Sequence, residues 1–486
     1  MKEKSLLWHL KNYGNSGYYP FHMPGHKRKV MEKGLELSNP FFIDITEIDG
    51  FDNLHHAQGI LKESMNRAAK IYGSDETHYL VNGSSCGILS AICGCTSPKG
   101  RILIGRNCHK SAYHGIMLNQ LKAEYIYPQI IEDLGIQGGI LPEDVEKKLE
   151  EYPDIQAVFL VSPTYDGMVS DIERIAEVVH RYHIPLIVDE AHGAHFPFGR
   201  EGEFPVSALQ KGGDVVIQSL HKTLPSLTQT AIMHIKKEYL GEERLQKIQR
   251  YLTVFQSSSP SYVFMASMDN CIRYMEQKGR ERLSRFYKEL KDFYEIKKKL
   301  KHILLPGKEW VGQAGIYDKD DSKILMVTGY GKRNGIWLKE YMKSNYHLEL
   351  EMCERTYALA LTSLWDSQEG LRELEKGLLA ADNEMEEEEK NPYSLMKDGR
   401  AFHEDIVYTI AETLEMPNKL EKLEHCDGKI SWEFVSVYPP GIPYLVPGEQ
   451  ISSAMIEQLI QYQKLGLTLT GLIDCEQGLF LKIVEK

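Results

Sequence analysis

Residues 186–192 read LIVDEAH and residues 215–223 read VVIQSLHKT. Each is a short apolar run, rich in β-branched side chains, that gives way to titratable residues, as a buried strand does where it ends in a loop. Asp189 closes the first run, and Lys222 follows the second, 33 positions further on. That interval is enough chain to leave one strand and return on another. A lysine at the end of a buried strand is costly to desolvate, so it is either exposed or carries an amine of depressed pKa and raised nucleophilicity.

Outward from these runs, between about Gly59 and His234, helical periodicity alternates with further β-branched segments, Arg101–Ile104 and Ala157–Val161. This predicts an α/β fold, with helices packed on a largely parallel sheet. Ser170 to Glu173 read as an S-x-x-E capping box opening a helix that carries Ile172, Ile175, Ala176 and Val179, and Pro185 opens the next strand. Beyond about Tyr262 the chain becomes helical and charged through Lys301, then resumes strand-like runs such as Lys323–Val327, which suggests a smaller α+β domain. The acidic stretch NEMEEEEK at 383–390, followed by Asn391-Pro392, reads as a solvated linker or helix end. The expected division is an N-terminal arm (1–40), a large domain (41–285), a small domain (286–382), a linker (383–395) and a C-terminal domain (396–486).

Composition narrows the classes. The chain has 486 residues, with 57 Lys and Arg against 69 Asp and Glu for a net charge of −12, and is 42% hydrophobic. That is an ordinary globular balance, with ample material for a core. The acidic excess and the short basic stretches argue against nucleic acid as a partner. No apolar run approaches a bilayer span and the first residues do not read as a secretory signal, so a cytoplasmic location with no membrane association is expected. The eight scattered cysteines are expected to be reduced. Cys93 and Cys95 lack a second ligand pair at metal spacing, so no metal site is expected.

Four local features gain meaning together. The turn Asn82-Gly83-Ser84-Ser85-Cys86-Gly87 leads into a helical pattern, and small side chains at a helix start suit a phosphate. Asp189 and His192 sit where open α/β sheets bind ligands, at the carboxyl end of a strand. A helicase-like reading of the DEAH string fails for want of a phosphate loop of the G-x-x-x-x-G-K-[ST] type. Ser219, His221 and Lys222 follow another strand, and His109 follows Arg101–Ile104. A phosphate turn, a strand-end aspartate and a strand-end lysine are the parts that hold pyridoxal phosphate. The lysine bonds its aldehyde, the aspartate keeps its ring nitrogen protonated, and His109 could stack on the ring.

The chain resembles the Orn/Lys/Arg decarboxylases, pyridoxal-phosphate enzymes of the aspartate-aminotransferase-like fold (fold type I). The supports are residues 21–27 (FHMPGHK), 49–55 (DGFDNLH), 82–87, 107–111 (NCHKS), 163–167 (PTYDG), the two strand-end boxes, and near the C-terminus 438–443 (YPPGIP) and 447–449 (PGE). The resemblance implies a large domain with a mostly parallel sheet, a smaller α+β domain and a C-terminal α+β domain of the family. By position it implies Lys222 as the cofactor-bonded lysine, Asp189 as partner of the ring nitrogen and His109 as the stacking residue. Ser84, Ser85, Cys86, Ser219 and His221 would surround the phosphate, Ala191 would touch the cofactor, and His192 would lie near its phenolic oxygen or the substrate carboxylate. Cys86 stands where many members carry a hydroxyl residue. A homodimer or higher homo-oligomer with sites at the subunit interface is the family's expectation.

The implied reaction is decarboxylation of lysine, ornithine or arginine to CO2 and the corresponding polyamine-type amine, with Lys222 or a nearby histidine returning a proton to Cα. A cationic substrate side chain needs an acid at the far end of its pocket, and Glu449 and Asp49 are the candidates. The alternatives are an aminotransferase or amino-ketone synthase of the same fold, or a catalytically silent cofactor-binding homologue. The PGHK and YPPGIP segments weigh against the first pair. The presence of Lys222, Asp189 and His109 together weighs against the last.

Overall fold

The computed structural model describes residues 5–29, 35–37, 39–131, 134–329, 331–385, 405–438, 441–476 and 478–485. Among them the central sheet has seven strands: β1 (Glu76–Leu80), β2 (Arg101–Gly105), β3 (Lys122–Ile126), β4 (Ile155–Val161), β5 (Leu186–Asp189), β6 (Val215–Gln218) and β7 (Ala231–Ile235), in the spatial order β1-β7-β6-β5-β4-β2-β3. Neighbours from β6 through β5, β4 and β2 to β3 are parallel, and β7 runs antiparallel to both β6 and β1. The β-branched runs read from the sequence are these strands, and every residue of β5, β6 and β7 is buried. Burial on both faces explains why they are largely apolar and do not alternate, with Asp189, Gln218 and His234 the exceptions.

Helices α1 (Gly83–Cys95), α2 (Lys110–Leu118) and α3 (Ile172–Arg181) follow β1, β2 and β4. The Ser170 capping box is corrected by one residue. Asp171 caps α3, accepting the Arg174 N–H, while Ser170 Oγ accepts the N–H of Ile140 from a neighbouring segment. The apolar stripe of Ile172, Ile175, Ala176 and Val179 is buried as its spacing predicts.

Residues 262–298 form the expected charged helices, Tyr262–Tyr274 and Arg280–Tyr294, joined by a π-helical turn. A second, antiparallel sheet follows, with β8 (Lys323–Val327), β9 (Met352–Cys353) and β10 (Tyr357–Leu361) in the order β8-β10-β9. Helix Gln368–Glu384 runs into the start of the acidic stretch, and residues 386–404, with most of the expected linker, lie outside the described residues. After them, Val435–Tyr438 pairs with Pro443–Leu445 and Thr468–Thr470, and Gly478–Val484 pairs with Asn418–Lys422 and Ile473–Cys475. Pro439 and Pro440 of the YPPGIP segment also lie outside the described residues. Among the described residues no helix is long and apolar enough to cross a membrane.

Candidate active site

A cavity of about 730 Å³ opens at the carboxyl ends of the parallel strands. In a parallel sheet all strand ends of one polarity face the same way, so loops far apart in sequence meet there. β1 delivers Gly83, Ser84 and Ser85, β2 delivers Asn107 and His109, β5 delivers Asp189, Ala191 and His192, and β6 delivers Ser219, His221 and Lys222, all lining this one cavity. β5 and β6 are parallel neighbours with Asp189 opposite Ile217, which explains how the two side chains reach the same space.

Alternation along the chain after β5 separates two acids. Asp189 lines the cavity and accepts the N–H of Ala191 at 3.0 Å. Glu190 turns into the protein, where Ser207 Oγ, the Ala208 N–H and Gln218 Nε2 donate to it at 2.6–2.7 Å. Burial pushes Glu190 up to about 7, while Asp189 is raised by burial against the opposing field of Lys222.

Burial also lowers the pKa of Lys222, with Asp189 and Glu351 opposing it. Lys222 Nζ lies 3.0 Å from His192 Nε2. His192 is held well below the ordinary imidazole value by burial and then by Lys222. Burial brings His109 and His221 down to about 4, each with Lys222 adding to the effect. His221 Nδ1 lies 2.9 Å from the Thr230 carbonyl, and His109 Nδ1 accepts from the Ser111 N–H at 3.2 Å. The cavity floor therefore sets three rings of lowered pKa around a half-buried lysine whose own pKa is lowered.

The segment 21–27 backs this floor and contributes His22 and Met23 to the cavity lining. The Gly25 N–H donates to the His221 carbonyl at 2.7 Å, and a Cβ at Gly25 would stand 2.8 Å from the Leu224 carbonyl oxygen, so only glycine allows the approach. Lys27 is buried and donates to the carbonyls of Pro20, His22 and Leu361. It fixes the segment and does not line the cavity.

Three sequence expectations find other places. Cys86 is buried, with its thiol donating to the Gly83 carbonyl at 3.0 Å, and lies outside the cavity lining. Asp49 is exposed and away from the cavity of its own chain. Glu449 is buried and engaged by Arg106 at 3.1 Å, so this carboxylate is not at the far end of the pocket. The neighbouring Asp52 explains the 49–55 segment locally, accepting the backbone N–H groups of Gln58, Gly59 and Leu61 at the start of helix Ile60–Tyr72.

Besides Asp189, the acids of the cavity are residues to which the sequence reading gave no role. Glu349, Glu351 and Glu354 lie on the wall formed by residues 349–357, joined by Asp166 from the 163–167 loop. Glu351 accepts the Met23 N–H at 2.9 Å and the Tyr165 hydroxyl, and the Tyr165 ring lies 4.5 Å from that of His192. At the rim Tyr13 donates to Glu349, which also pairs with Lys343 at 3.2 Å.

The donor set fits pyridoxal phosphate. Ser84 and Ser219 hydroxyls lie 2.6 Å apart at the amino end of α1, beside Ser85, where a phosphate is favoured by hydroxyls, backbone N–H groups and the helix dipole together. His192 Nδ1 is buried without a hydrogen-bond partner and borders the cavity, as a side chain awaiting a bound group does.

Comparison with known proteins agrees. The profile of the Orn/Lys/Arg decarboxylase major domain matches residues 5–322, and that of the Orn/Lys/Arg decarboxylase C-terminal domain matches residues 405–482. The chain is 30% identical over 499 residues to an arginine decarboxylase of Bacillus subtilis, covering all of this chain and 98% of that one. It is 32% identical over 472 residues to an arginine decarboxylase of Halalkalibacterium halodurans, covering 93% and 91%. In fold it is similar to lysine decarboxylase A from Pseudomonas aeruginosa, with a TM-score of 0.76 at 18% identity over 98% of this chain and 80% of that one.

Proposed function

The chain belongs to the Orn/Lys/Arg decarboxylase family and is a pyridoxal-phosphate-dependent decarboxylase of a basic amino acid; we propose that its preferred substrate is arginine, released as CO2 and the corresponding polyamine-type amine. The full-length likeness to arginine decarboxylases at 30–32% identity supports the substrate. The observation that carries the reading is Lys222 and the carboxylate of Glu351 in one cavity, an amine for the α-end of the substrate and an acid for its cation. A planar guanidinium suits a carboxylate because two N–H groups can be shared with two oxygens.

Pyridoxal phosphate, when bound, supplies the electron sink that makes loss of CO2 from Cα feasible. The chain's own residues do the rest. Ser84, Ser85 and Ser219 would hold the phosphate end, Asp189 would offer its carboxylate to the ring nitrogen, and His109 would flank the ring. Lys222, its pKa lowered by burial, would present its amine to the substrate. His192 Nε2, 3.0 Å away, would orient Lys222 Nζ, and Lys222 would take up the proton given up by the substrate's α-ammonium and return it to Cα. Glu351, steadied by Tyr165 and the Met23 N–H, takes the cationic end.

Two wider expectations belong to the same proposal. Leu6, Leu7, Leu10, Phe41 and Phe42 stand exposed, Phe41 and Phe42 to 94% and 84%, which supports a homodimer or higher homo-oligomer that covers them. Free cysteines, mostly buried, suit a reducing compartment such as the cytoplasm.

Incubating the holoenzyme with arginine, lysine and ornithine separately, while measuring CO2 and amine, tests the function. Arginine should give the largest kcat/KM. A preference for lysine or ornithine would overturn the substrate assignment, and release of a keto acid without CO2 would move the chemistry to transamination.

A further inference from the structure

Arg106 is the first residue after β2 and stands directly before Asn107 and His109, both of which line the cavity. Its guanidinium is spent on a segment more than 330 positions away. Nη1 donates to the Pro443 carbonyl at 2.6 Å, and Nη2 donates to the Tyr444 carbonyl and to Glu449 Oε2, both at 3.1 Å. The hydroxyl of Tyr113, on α2 just beyond the same turn, accepts from Nη1 and donates to the Arg106 carbonyl at 2.6 Å. Arg106 is 7% exposed and Glu449 1%.

The acceptor side is equally built. The Val446 N–H donates to Glu449 Oε2 at 2.8 Å, which orients the carboxylate. Gly448 has φ +96°, and a Cβ there would collide with the Tyr408 carbonyl oxygen, so the turn that aims Glu449 requires glycine. Ile442, in the same segment, lines the cavity.

We propose that Arg106 and Glu449 are positioning residues, a buried clamp by which segment 441–449 of the C-terminal region fixes the Asn107–His109 turn and so the ring of His109. Withdrawing either partner leaves a desolvated charge without its counter-charge, so the turn and the segment hold or loosen together. Glu449, expected from the sequence to contact substrate, acts instead through Arg106 on the cofactor's surroundings. The proposal rests on the assignment of Lys222 and His109 to the cofactor site.

The test compares holoenzyme carrying Glu449→Gln or Arg106→Lys with the parent. Glu449→Gln keeps an oxygen for the Val446 N–H but no charge, and Arg106→Lys keeps the charge but cannot serve all its acceptors. Both should retain far-UV circular dichroism, weaken the visible dichroism of the bound cofactor, speed its dissociation about tenfold and lower kcat more than they raise KM. Unchanged visible dichroism and dissociation in both would overturn the clamp. Should neither variant fold, hydrogen exchange of the unmutated protein decides. Removing the cofactor should deprotect residues 105–111 and 441–449 together, and independent exchange of the two segments would overturn it. Borohydride trapping of the cofactor on a lysine other than Lys222 would sink the site assignment itself, an outcome separate from the clamp.

Discussion

Two lysines, the half-buried Lys222 and the fully buried Lys323, each associated with an aspartate, serve this protein for different ends. Lys323, at the start of β8, is fully buried, as is Asp320, and its Nζ donates to Asp320 Oδ2 at 3.1 Å and to Ser322 Oγ at 3.3 Å. Asp320 also accepts the Ser322 N–H, and His195 Nε2 lies 3.4 Å away. Burial pulls the Asp320 carboxyl upward, yet Lys323 and His195 outweigh it and hold it well below the usual range. Lys222, on the cavity side, has among the described residues one side-chain partner, the neutral His192. Its burial is not repaid by a close ion pair, and its pKa falls. The same two residue types give an ion-paired strut in one place and, on the proposed assignment, the reactive amine in the other. What separates them is how many of their hydrogen-bonding positions the protein fills.

The largest effect expected from this contrast is on chemistry. Lys222→Ala should reduce CO2 release to background and remove the absorbance of the lysine-linked cofactor. The thermal midpoint of the cofactor-free protein should hold or rise, because an amine kept from water is gone. Retained turnover, or unfolding, would break the contrast at its first step.

Lys323→Met should do the reverse. It strands the Asp320 carboxylate and should destabilise the protein by about 3–5 kcal/mol, measured by denaturant unfolding, with kcat per folded molecule little changed. Adding Asp320→Asn should recover part of the loss. A collapse of kcat with stability intact would place Lys323 in the chemistry.

Smaller still, Glu351→Gln removes one charge-assisted contact and should raise KM for arginine about tenfold to a hundredfold, on a scale of ~1.5–3 kcal/mol, with less effect on kcat. An unchanged KM would return the search for the substrate's acid to Glu349, Glu354 and Asp166, or to Asp49 of a neighbouring copy.

How much of this could be read from the chain follows from where each group sits. Asp189, Lys222 and His109 were legible because a strand end is a local pattern, and a parallel sheet gathers such ends at one edge. Glu351 was not, since it shares a cavity with Lys222 only through tertiary packing of the 349–357 segment, more than 100 positions downstream. Glu449 misled for a related reason. A carboxylate after Pro-Gly near the chain end is compatible with a pocket, and only the approach of Arg106 discloses where its charge goes. Lys323 looked like an ordinary strand residue, because nothing in a lone Lys-Ile-Leu run tells that its Nζ is dry.

The finest discrimination between the two lysines comes from acid. His109 and His221 have folded pKa values of about 4 against an ordinary 6.5. Between those values the unfolded chain binds protons that the folded chain refuses. Stability therefore falls as pH drops from about 6.5 toward 4, by up to ~1.4 kcal/mol per pH unit for each such ring. Lys222 contributes to both depressions, and Lys323 is not among the causes of either. In the cofactor-free protein the loss of unfolding free energy between pH 7 and 4.5 should accordingly be smaller for Lys222→Ala than for Lys323→Met, since the first lets both rings titrate nearer their ordinary value. Any proton uptake by the depressed amine of Lys222 itself disappears in the same variant and shifts the difference the same way. Carboxylates away from both lysines cancel in the comparison, and adding Asp320→Asn to Lys323→Met and Asp189→Asn to Lys222→Ala removes the two that do not. Equal losses would mean that burial alone keeps the rings neutral, and that the field of Lys222 does not set the protonation of the cavity.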